Sequence, residues 1–370
     1  MPERLIGLDA ENYARQAIET AGYSVESIAL ILAGQSHYDF SLSLNNNWPA
    51  IARFEKPHAI GTPDGIRRDY NFNGPLSLER ERNLLELVRE AGLPAPEVYG
   101  LYSNEHGKFL LVEKLTGNHW SEYVEANGYS LEAYLRSLEY LGQDIALAHR
   151  VKFESFGDVI GRSDINPGNI SDFTSRVALI AQLIMQRAAY SQAFEQKELE
   201  ELTQHFQNQL DTLSQKMRAV RQQPILVLTD LHPMNFFVGE RGKPSGYFDL
   251  EFCQSALPAL EFCDLRLSLF NYFEGSAEQA EQTFLKGYEH NGGSYDPSEP
   301  VSKQLEYILA IGHVLYAVIA YHNVHDGLRD TWSDKCKQIL FEAQKSGEFN
   351  YKAYADVFRV KTKQPKFASP

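Results

Sequence analysis

Cysteine is scarce in this chain of 370 residues, which contains only Cys253, Cys263 and Cys336. Three cysteines are too few for a disulfide framework, and their spacing does not match a metal-binding motif. Such scarcity is typical of proteins kept in a reducing compartment. We therefore expect a cytoplasmic protein.

The chain also has no excess of basic residues. The chain has 35 Lys and Arg against 49 Asp and Glu, which gives a formal net charge of −14 at pH 7. Nucleic acids and anionic membrane surfaces are bound by basic patches, so we expect neither as a partner. The acidic balance is compatible with a cationic small-molecule substrate.

Long hydrophobic runs are rare too. The first 16 residues, MPERLIGLDAENYARQ, lack the apolar region of a signal peptide. The most apolar long stretch, residues 305–321, contains Glu306 and His313 and is shorter than a membrane span requires. A buried core helix is the better prediction for it.

Several enzyme signatures are absent or incomplete. Residues 239–245, GERGKPS, have the wrong spacing for a phosphate-binding loop, and Pro244 would block a following helix. There is no G-x-S-x-G element of a hydrolase. His322 and His325 have no evident third partner, so a metal site there is not expected.

The informative stretch is residues 227–251, VLTDLHPMNFFVGERGKPSGYFDLE. Two apolar segments, 236–238 and 247–250, flank a polar turn rich in Gly and Pro, which predicts a β-hairpin whose second strand carries an aspartate. Such a hairpin would bring together two carboxylates and an amide, at Asp230, Asn235 and Asp249. Oxygen ligands of this kind, together with nucleotide phosphates, suit Mg²⁺. A lone D-x-x-x-x-N would indicate only a turn, because Asp and Asn bond readily to nearby backbone.

The pattern D-L-H-P-x-N, a hairpin and then F-D-L-E resembles the catalytic loop and metal-binding segment of the aminoglycoside phosphotransferase and choline kinase families. Pro258-Ala259 and Asp264-Leu265 resemble the end of that motif, with a longer spacer than usual. The family usually has His-Gly before the catalytic aspartate, where this chain has Leu228 and Thr229. The family histidine is thought to brace the loop, so the departure bears on geometry more than on chemistry.

The resemblance implies an α/β (α+β) protein with a two-lobed, protein-kinase-like fold. The expected division is a sheet-rich, nucleotide-binding N-lobe over residues 1–112, a hinge over 113–117, and a mainly helical C-lobe over 118–370. The C-lobe would carry the catalytic loop and the acceptor site. Helical patterns predict its long helices at residues 131–149, 174–193, 197–218, 277–288, 302–322 and 333–346.

In the N-lobe, a helix is predicted at residues 9–20 and strands at 27–32, 38–44, 48–54, 97–101 and 108–112. A loop with Gly34 and Ser36 would lie near the nucleotide, and Arg53 occupies the place of the family's phosphate-contacting base. The helix expected at 77–91, capped by Ser77, supplies Glu81 as the ion-pair partner of Arg53. Alone, each of these two residues would pass for an ordinary surface charge.

Two further N-lobe features have expected roles. The long loop at residues 57–77, rich in Gly and Pro, is predicted to be functional or mobile. By resemblance, the hinge backbone at Glu113 and Leu115 would bind the adenine edge.

The function implied is transfer of the γ-phosphoryl group of ATP or GTP to a hydroxyl of a small molecule. An antibiotic, an amino alcohol, a sugar and a homoserine-like metabolite all remain open as acceptors. Asp230 would be the catalytic base, and Asn235 and Asp249 would bind Mg²⁺. Glu251 would share a strand face with Asp249 and serve as a ligand of a second metal ion or as an outer-shell ligand. Acceptor contacts are expected just after the motif, at Asp264, Asn271, Tyr272 and Glu274.

Two other functions compete. A non-catalytic nucleotide-binding relative of kinases is favoured by the missing His-Gly, whereas the retained Asp230, Asn235 and Asp249 count against it. A protein kinase is disfavoured because no segment resembles an activation loop ending in A-P-E. Oligomeric state cannot be inferred from the sequence.

Overall fold

A computed structural model describes residues 8–31, 37–55, 77–218, 220–324, 327 and 329–358. Gly34, Ser36, His325 and nearly all of the predicted loop at residues 57–77 lie outside the described residues.

The N-lobe is built on one antiparallel sheet. Its five strands have the order β1-β2-β3-β5-β4. Helix α1 precedes the sheet, and helix α2 connects β3 to β4. The elements are α1 (Leu8–Thr20), β1 (Val25–Ile31), β2 (His37–Leu44), β3 (Trp48–Glu55), α2 (Leu78–Glu90), β4 (Val98–Asn104) and β5 (Gly107–Glu113).

Alternation along β2 and β3 decides which side chains reach the site. Ala52 and Phe54 are buried in the core that the sheet shares with α1. Successive side chains of a strand point to opposite faces, so Arg53 emerges on the other face of the sheet. The hairpin turns at Asn46 and Asn47, whose φ values of 61° and 58° lie in the left-handed region that asparagine tolerates.

Helix α2 is fixed at its N-terminal end. The Ser77 side chain accepts a hydrogen bond from the backbone N–H of Arg80, which confirms the predicted cap. The buried Arg80 guanidinium donates to the carbonyls of Val159, at 2.7 Å, and Cys253, at 3.3 Å. These bonds hold α2 against the C-lobe, close to the segment that carries Asp249.

The C-lobe is mainly helical but also contains two small sheets. The strands have the orders β11-β10-β6 and β8-β7-β12-β9. The elements are β6 (Asn118–His119), α3 (Trp120–Ala126), α4 (Leu131–Ala148), β7 (Phe156–Gly161), β8 (Asp164–Ile170), α5 (Phe173–Ser191), α6 (Gln196–Met217), β9 (Ile225–Val227), β10 (Phe236–Val238), β11 (Pro244–Tyr247), β12 (Gln254–Ala256), α7 (Pro258–Leu267), α8 (Ala277–His290), α9 (Pro300–Tyr321), α10 (Trp332–Ser346) and α11 (Tyr351–Phe358).

The long helices predicted for this lobe are present, with ends that differ by a few residues. Helix α9 is long and apolar enough to pass for a membrane span, but 61% of its most apolar window is buried inside the protein, as expected of a core helix. The predicted sheet-rich N-terminal lobe and mainly helical C-terminal lobe are both present.

Candidate active site

The Asp230 loop follows directly from a buried strand. β9 ends at Val227, and Leu228 is also buried. Thr229 and Asp230 then adopt φ values of 33° and 56°, in a region that favours glycine. The turn continues with the N–H of His232 donating to the Asp230 carbonyl at 2.9 Å. This backbone turns the Asp230 side chain outwards, where it is exposed.

Part of the Asp230 side chain is exposed to solvent, and protein atoms surround the rest. The resulting desolvation, followed by the negative charge of Asp249, raises the pKa of Asp230 to about 7, while the hydrogen bond from Asn235 acts in the opposite direction. The Asn235 amide nitrogen donates to the Asp230 carbonyl at 3.0 Å and to its carboxylate at 3.2 Å. The Asn235 amide oxygen is thereby directed away from Asp230.

Asp249 lies at a turn rather than within a strand. β11 ends at Tyr247, and the N–H of Phe248 donates to the carbonyl of Asn235 at 3.3 Å, which places Asp249 beside Asn235. Asp249 has a φ of 60° and begins a 3₁₀ turn over Leu250–Phe252. The second strand predicted at residues 247–250 was therefore placed three residues too late, because the strand is Pro244–Tyr247.

The predicted shared strand face of Asp249 and Glu251 is wrong for the same reason. The left-handed backbone of Asp249 ends the alternation of side chains before Glu251, which lies in the 3₁₀ turn, although both carboxylates still act on Arg53. Glu251 is buried, with its carboxylate 3.8 Å from Nδ1 of His37, whereas the Asp249 side chain is 37% exposed. A role for Glu251 as a metal ligand remains a prediction.

Arg53 is surrounded by carboxylates. Its Nε lies 3.0 Å from Asp39, its Nη1 pairs with Glu81, and its Nη2 lies 3.5 Å from Asp249 and 3.2 Å from Nδ1 of His37. Burial acts to lower the Arg53 pKa, but these carboxylates raise it well above its usual value. The ion pair with Glu81 expected from the sequence is present.

Burial also governs Glu81. Desolvation raises the pKa of Glu81 to about 7, although the adjacent Arg53 acts to lower it. The cluster of Asp39, Glu81, Asp249 and Glu251 faces a single arginine, so phosphate groups could approach it only together with cations.

One residue of this cluster, Asp249, and its neighbour Asn235 fit Mg²⁺. Asn235 contributes an amide oxygen and Asp249 a carboxylate, both hard oxygen donors. No group of three or more His, Cys, Asp or Glu suited to a metal occurs among the residues that the structure describes. Mg²⁺ is commonly held by one or two carboxylates plus substrate phosphates, so this small donor set is sufficient only with a nucleotide.

Three aromatic rings pack together beside the hinge, and one of them, Phe248, directly precedes Asp249. The N–H of Glu113 donates to the Glu97 carbonyl at 2.8 Å, so this N–H is already used in the sheet. The His119 and Phe248 rings pack against Phe237, with ring centroids 4.7 and 4.8 Å apart respectively. All three rings are half-buried. They form an apolar surface where a nucleobase could stack.

Leu115 supports the same region from the hinge. A side chain at Gly246 would meet Leu115 at 2.2 Å, so the missing Cβ of that glycine permits the close approach of hinge and hairpin. The roles of Glu113 and Leu115 in base binding remain predictions.

Sequence reasoning missed Asp39, His37, His119, Phe237 and Phe248. Only Phe248, directly before Asp249, had a local signal.

The four residues predicted to contact the acceptor are dispersed. The buried Asp264 accepts a hydrogen bond from the backbone N–H of Asp230 at 3.2 Å, and burial, followed by the charge of Glu261, raises its pKa well above the usual range. The Asn271 amide donates to the Arg266 carbonyl at 2.7 Å.

The other two residues of that set make different contacts. The Tyr272 ring packs edge-on against Trp120, with centroids 4.8 Å apart. Glu274 is exposed and pairs with Lys352 at 3.2 Å. The hydrogen bonds of Asp264 and Asn271 to backbone groups favour supporting roles for those two residues. Acceptor binding by the set remains a prediction.

Removal of the Arg53 side chain should destabilise the protein strongly. Breaking a buried ion pair by removing one partner typically costs about 3–5 kcal/mol, because a buried charge is left uncompensated. The Arg53→Met variant should lose about that much free energy of unfolding in urea, and Arg53→Met/Glu81→Leu should recover part of it.

The control for this prediction is Arg162→Met, which breaks an exposed 2.6 Å pair with Glu90. Exposed pairs contribute roughly 0–1 kcal/mol, so this variant should unfold almost as the wild type does. Equal losses in the Arg53 and Arg162 variants would show that the cluster is not held together as described.

The two lobes, the Arg53–Glu81 ion pair and the grouping of Asp230, Asn235 and Asp249 are the features expected of a protein-kinase-like phosphotransferase fold. The chain belongs to the phosphotransferase enzyme family APH, whose family model matches residues 27–299.

Solved structures agree on the fold. One is a thermostable mutant of aminoglycoside phosphotransferase APH(4)-Ia in ternary complex with AMP-PNP and hygromycin B. It has a TM-score of 0.60 and 15% identity, covering 91% of this chain and 98% of that one. The GDP complex of wild-type aminoglycoside 2'-phosphotransferase-IIIa has a TM-score of 0.54 and 13% identity, covering 91% of this chain and 99% of that one. Macrolide 2'-phosphotransferase type I has a TM-score of 0.53 and 13% identity, covering 95% of this chain and 96% of that one. A search of curated proteins finds no match.

Proposed function

We propose that this protein transfers the γ-phosphoryl group of ATP or GTP to a hydroxyl of a small molecule. The observation that carries the proposal is the bridging position of Asn235. Its side chain bonds to the Asp230 carboxylate, and its backbone carbonyl accepts from Phe248, next to Asp249. One short loop thus fixes a carboxylate with a raised pKa beside a second carboxylate suited to a metal.

Asp230 would orient the acceptor hydroxyl and take its proton. The hydroxyl oxygen forms a bond to the γ-phosphorus, the bond to the bridging oxygen breaks, and the nucleoside diphosphate leaves. A carboxylate with a pKa near 7 is a better base at neutral pH than an ordinary aspartate. When bound at Asn235 and Asp249, Mg²⁺ would neutralise charge on the phosphates.

Arg53 would complete the nucleotide site from the N-lobe. Glu81 and Asp39 hold its guanidinium in place, and Nη2 lies on the side that faces Asp249. A nucleotide as co-substrate is also supported by the relatives that were solved with AMP-PNP and with GDP. His119, Phe237 and Phe248 offer rings for the base.

The acceptor is expected to be a small hydroxyl compound. One structure of similar fold is a complex with hygromycin B, and another is a macrolide 2'-phosphotransferase. An amino alcohol, a sugar or a homoserine-like metabolite fits the same chemistry. The net charge of −14 favours a cationic acceptor, because acidic walls concentrate cations near the site.

A non-catalytic nucleotide-binding protein is the competing proposal. The observation that favours it is the replacement of His-Gly by Leu228 and Thr229, which leaves a β-branched residue at a φ of 33°. Both proposals predict Mg-nucleotide binding, and only the first predicts phosphoryl transfer.

The test is a panel of hydroxyl acceptors assayed for nucleoside diphosphate release with ATP and with GTP. For a cationic acceptor we expect KM to rise with ionic strength, because charges separated by more than about 8 Å are screened at physiological salt. KM should rise further in Glu274→Gln.

Lys352→Met is the matched control for Glu274→Gln, since it breaks the same ion pair but keeps the carboxylate. A KM that changes with neither salt nor Glu274→Gln would contradict the proposal that acidic residues attract a cationic acceptor. No diphosphate release with any acceptor, despite nucleotide binding, would favour the non-catalytic alternative.

A further inference from the structure

Helix α7 supports the Asp230 loop with two carboxylates, one helical turn apart. The Glu261 carboxylate accepts from the backbone N–H of Leu228 at 2.9 Å, and Asp264 accepts from that of Asp230 at 3.2 Å. Residues three positions apart on a helix lie on one face, which is why α7 can reach two amides of the same loop.

Thr229, between these two amides, is tied to a different element. Its hydroxyl donates to the carbonyl of Phe252 at 2.6 Å, at the end of the 3₁₀ turn that Asp249 begins. Three successive residues are therefore held by three separate hydrogen bonds. Two of these bonds come from α7 and one from the segment that carries Asp249.

The loop needs this support because its backbone is strained. Thr229 and Asp230 are consecutive non-glycine residues with φ values of 33° and 56°. Each such residue costs on the order of 1–3 kcal/mol and persists only where the surroundings hold it. Released from its contacts, the loop would relax and move the Asp230 carboxylate.

Holding the Leu228 amide with the Glu261 carboxylate costs stability. It is fully buried, and its Oε1 has no hydrogen-bond partner among the described residues. Its Oε2 lies 3.7 Å from Nε2 of His149, whose Nδ1 lies 2.8 Å from the Tyr288 hydroxyl. If that hydroxyl donates to Nδ1, the proton sits on Nε2 and faces Glu261. A buried, incompletely paired carboxylate costs stability, so packing alone does not account for it.

We propose that Glu261, paired with His149, is a positioning residue for Asp230. It holds the Leu228 amide and so keeps the strained loop in the conformation that presents the Asp230 carboxylate. The inference rests on the proposed function in that Asp230 is the base there. It also explains how the chain can have Leu228 and Thr229 where related enzymes have His-Gly.

Two substitutions at Glu261 separate the brace from general stability. Glu261→Gln keeps an oxygen that can accept from Leu228, whereas Glu261→Met keeps the approximate size and removes the acceptor. Glu306→Met is the matched control, because it removes a carboxylate that is 1% exposed on α9 and that bonds to Arg266 and Tyr295 rather than to an amide of the loop.

Hydrogen exchange of residues 225–236, measured by mass spectrometry on the full chain, is the first readout. We expect faster exchange in this segment for Glu261→Met, and near wild-type exchange for Glu261→Gln and Glu306→Met. This readout needs no acceptor. Unchanged exchange in Glu261→Met would overturn the brace whether or not the protein is a kinase.

Turnover and nucleotide affinity are the second readout. A displacement of about 1 Å in a reacting group can cost about 10²-fold in rate. We therefore expect kcat to fall roughly tenfold to 100-fold in Glu261→Met with little change in nucleotide Kd, and to be largely kept in Glu261→Gln. Parallel loss of kcat and nucleotide binding, or equal loss in Glu306→Met, would indicate a general structural role and contradict the proposal. Absence of turnover in the wild type would contradict the proposed function and leave the exchange result to decide the brace.

Discussion

Replacing Asp230 by asparagine is expected to lower phosphoryl transfer roughly 10²–10⁴-fold, which is what a positioned general base contributes. Nucleotide affinity should change little. Asparagine tolerates the left-handed backbone at φ 56°, and the bond from Asn235 to the backbone carbonyl at 3.0 Å does not depend on the carboxylate. Nucleotide binding by calorimetry and turnover should therefore separate. Undiminished turnover in the variant would exclude Asp230 as the base.

The same substitution should also alter how stability depends on pH. The folded-state pKa of about 7 lies above the ordinary value of 3.8, so the folded protein holds this proton more tightly than the unfolded chain does. The contribution of Asp230 to stability is then complete below pH 3.8 and is lost as pH rises towards 7. Asp230→Asn removes that loss, so its Tm relative to wild type should be higher at pH 8 than at pH 5. An unchanged Tm difference would contradict the environment described for Asp230.

Replacing Asp249 by alanine is expected to abolish most of the Mg²⁺-dependent nucleotide affinity. Loss of a group that only orients a metal ligand typically costs about 10–100-fold in metal affinity, and loss of a ligand should cost at least as much. Calorimetry with ATP and GTP, with and without Mg²⁺, measures the effect. The metal-dependent part of the affinity should disappear.

Asp39→Asn is the control for this variant. Asp39 lies 3.0 Å from Arg53, and Asp249 lies 3.5 Å from the same arginine, but Asp39 is outside the donor set for the metal. If both variants lose affinity equally, the loss comes from disturbing Arg53. Wild-type affinity for the Mg-nucleotide in Asp249→Ala would remove Asp249 from the metal site.

Local patterns in the sequence were enough for the elements that the site uses most. Ser77 predicted the start of α2, and the turn-rich segment between residues 238 and 247 predicted the hairpin. The ion pair of Arg53 with Glu81 came from the motif, because positions on a strand and a helix match those of related kinases.

Contacts between distant elements were not predictable in that way. Glu261 reaches Leu228, and Arg80 reaches Cys253, across long stretches of chain that only tertiary packing brings together. The turn at Asp249 was missed because F-D-L-E continues the apolar pattern of a strand, while the left-handed backbone depends on the surrounding fold. The short strands β9 and β12 contain three residues each, too few to show periodicity.

The most direct test of the account is ³¹P NMR of a complete reaction of the full-length protein, Mg²⁺, nucleotide and an acceptor from the hydroxyl panel. The account predicts that the γ-phosphate signal is replaced by a phosphate monoester on the acceptor, together with nucleoside diphosphate. This change should need Mg²⁺ and should be nearly lost in Asp230→Asn. A monoester formed equally well by Asp230→Asn, or diphosphate released with inorganic phosphate alone for every acceptor, would contradict it.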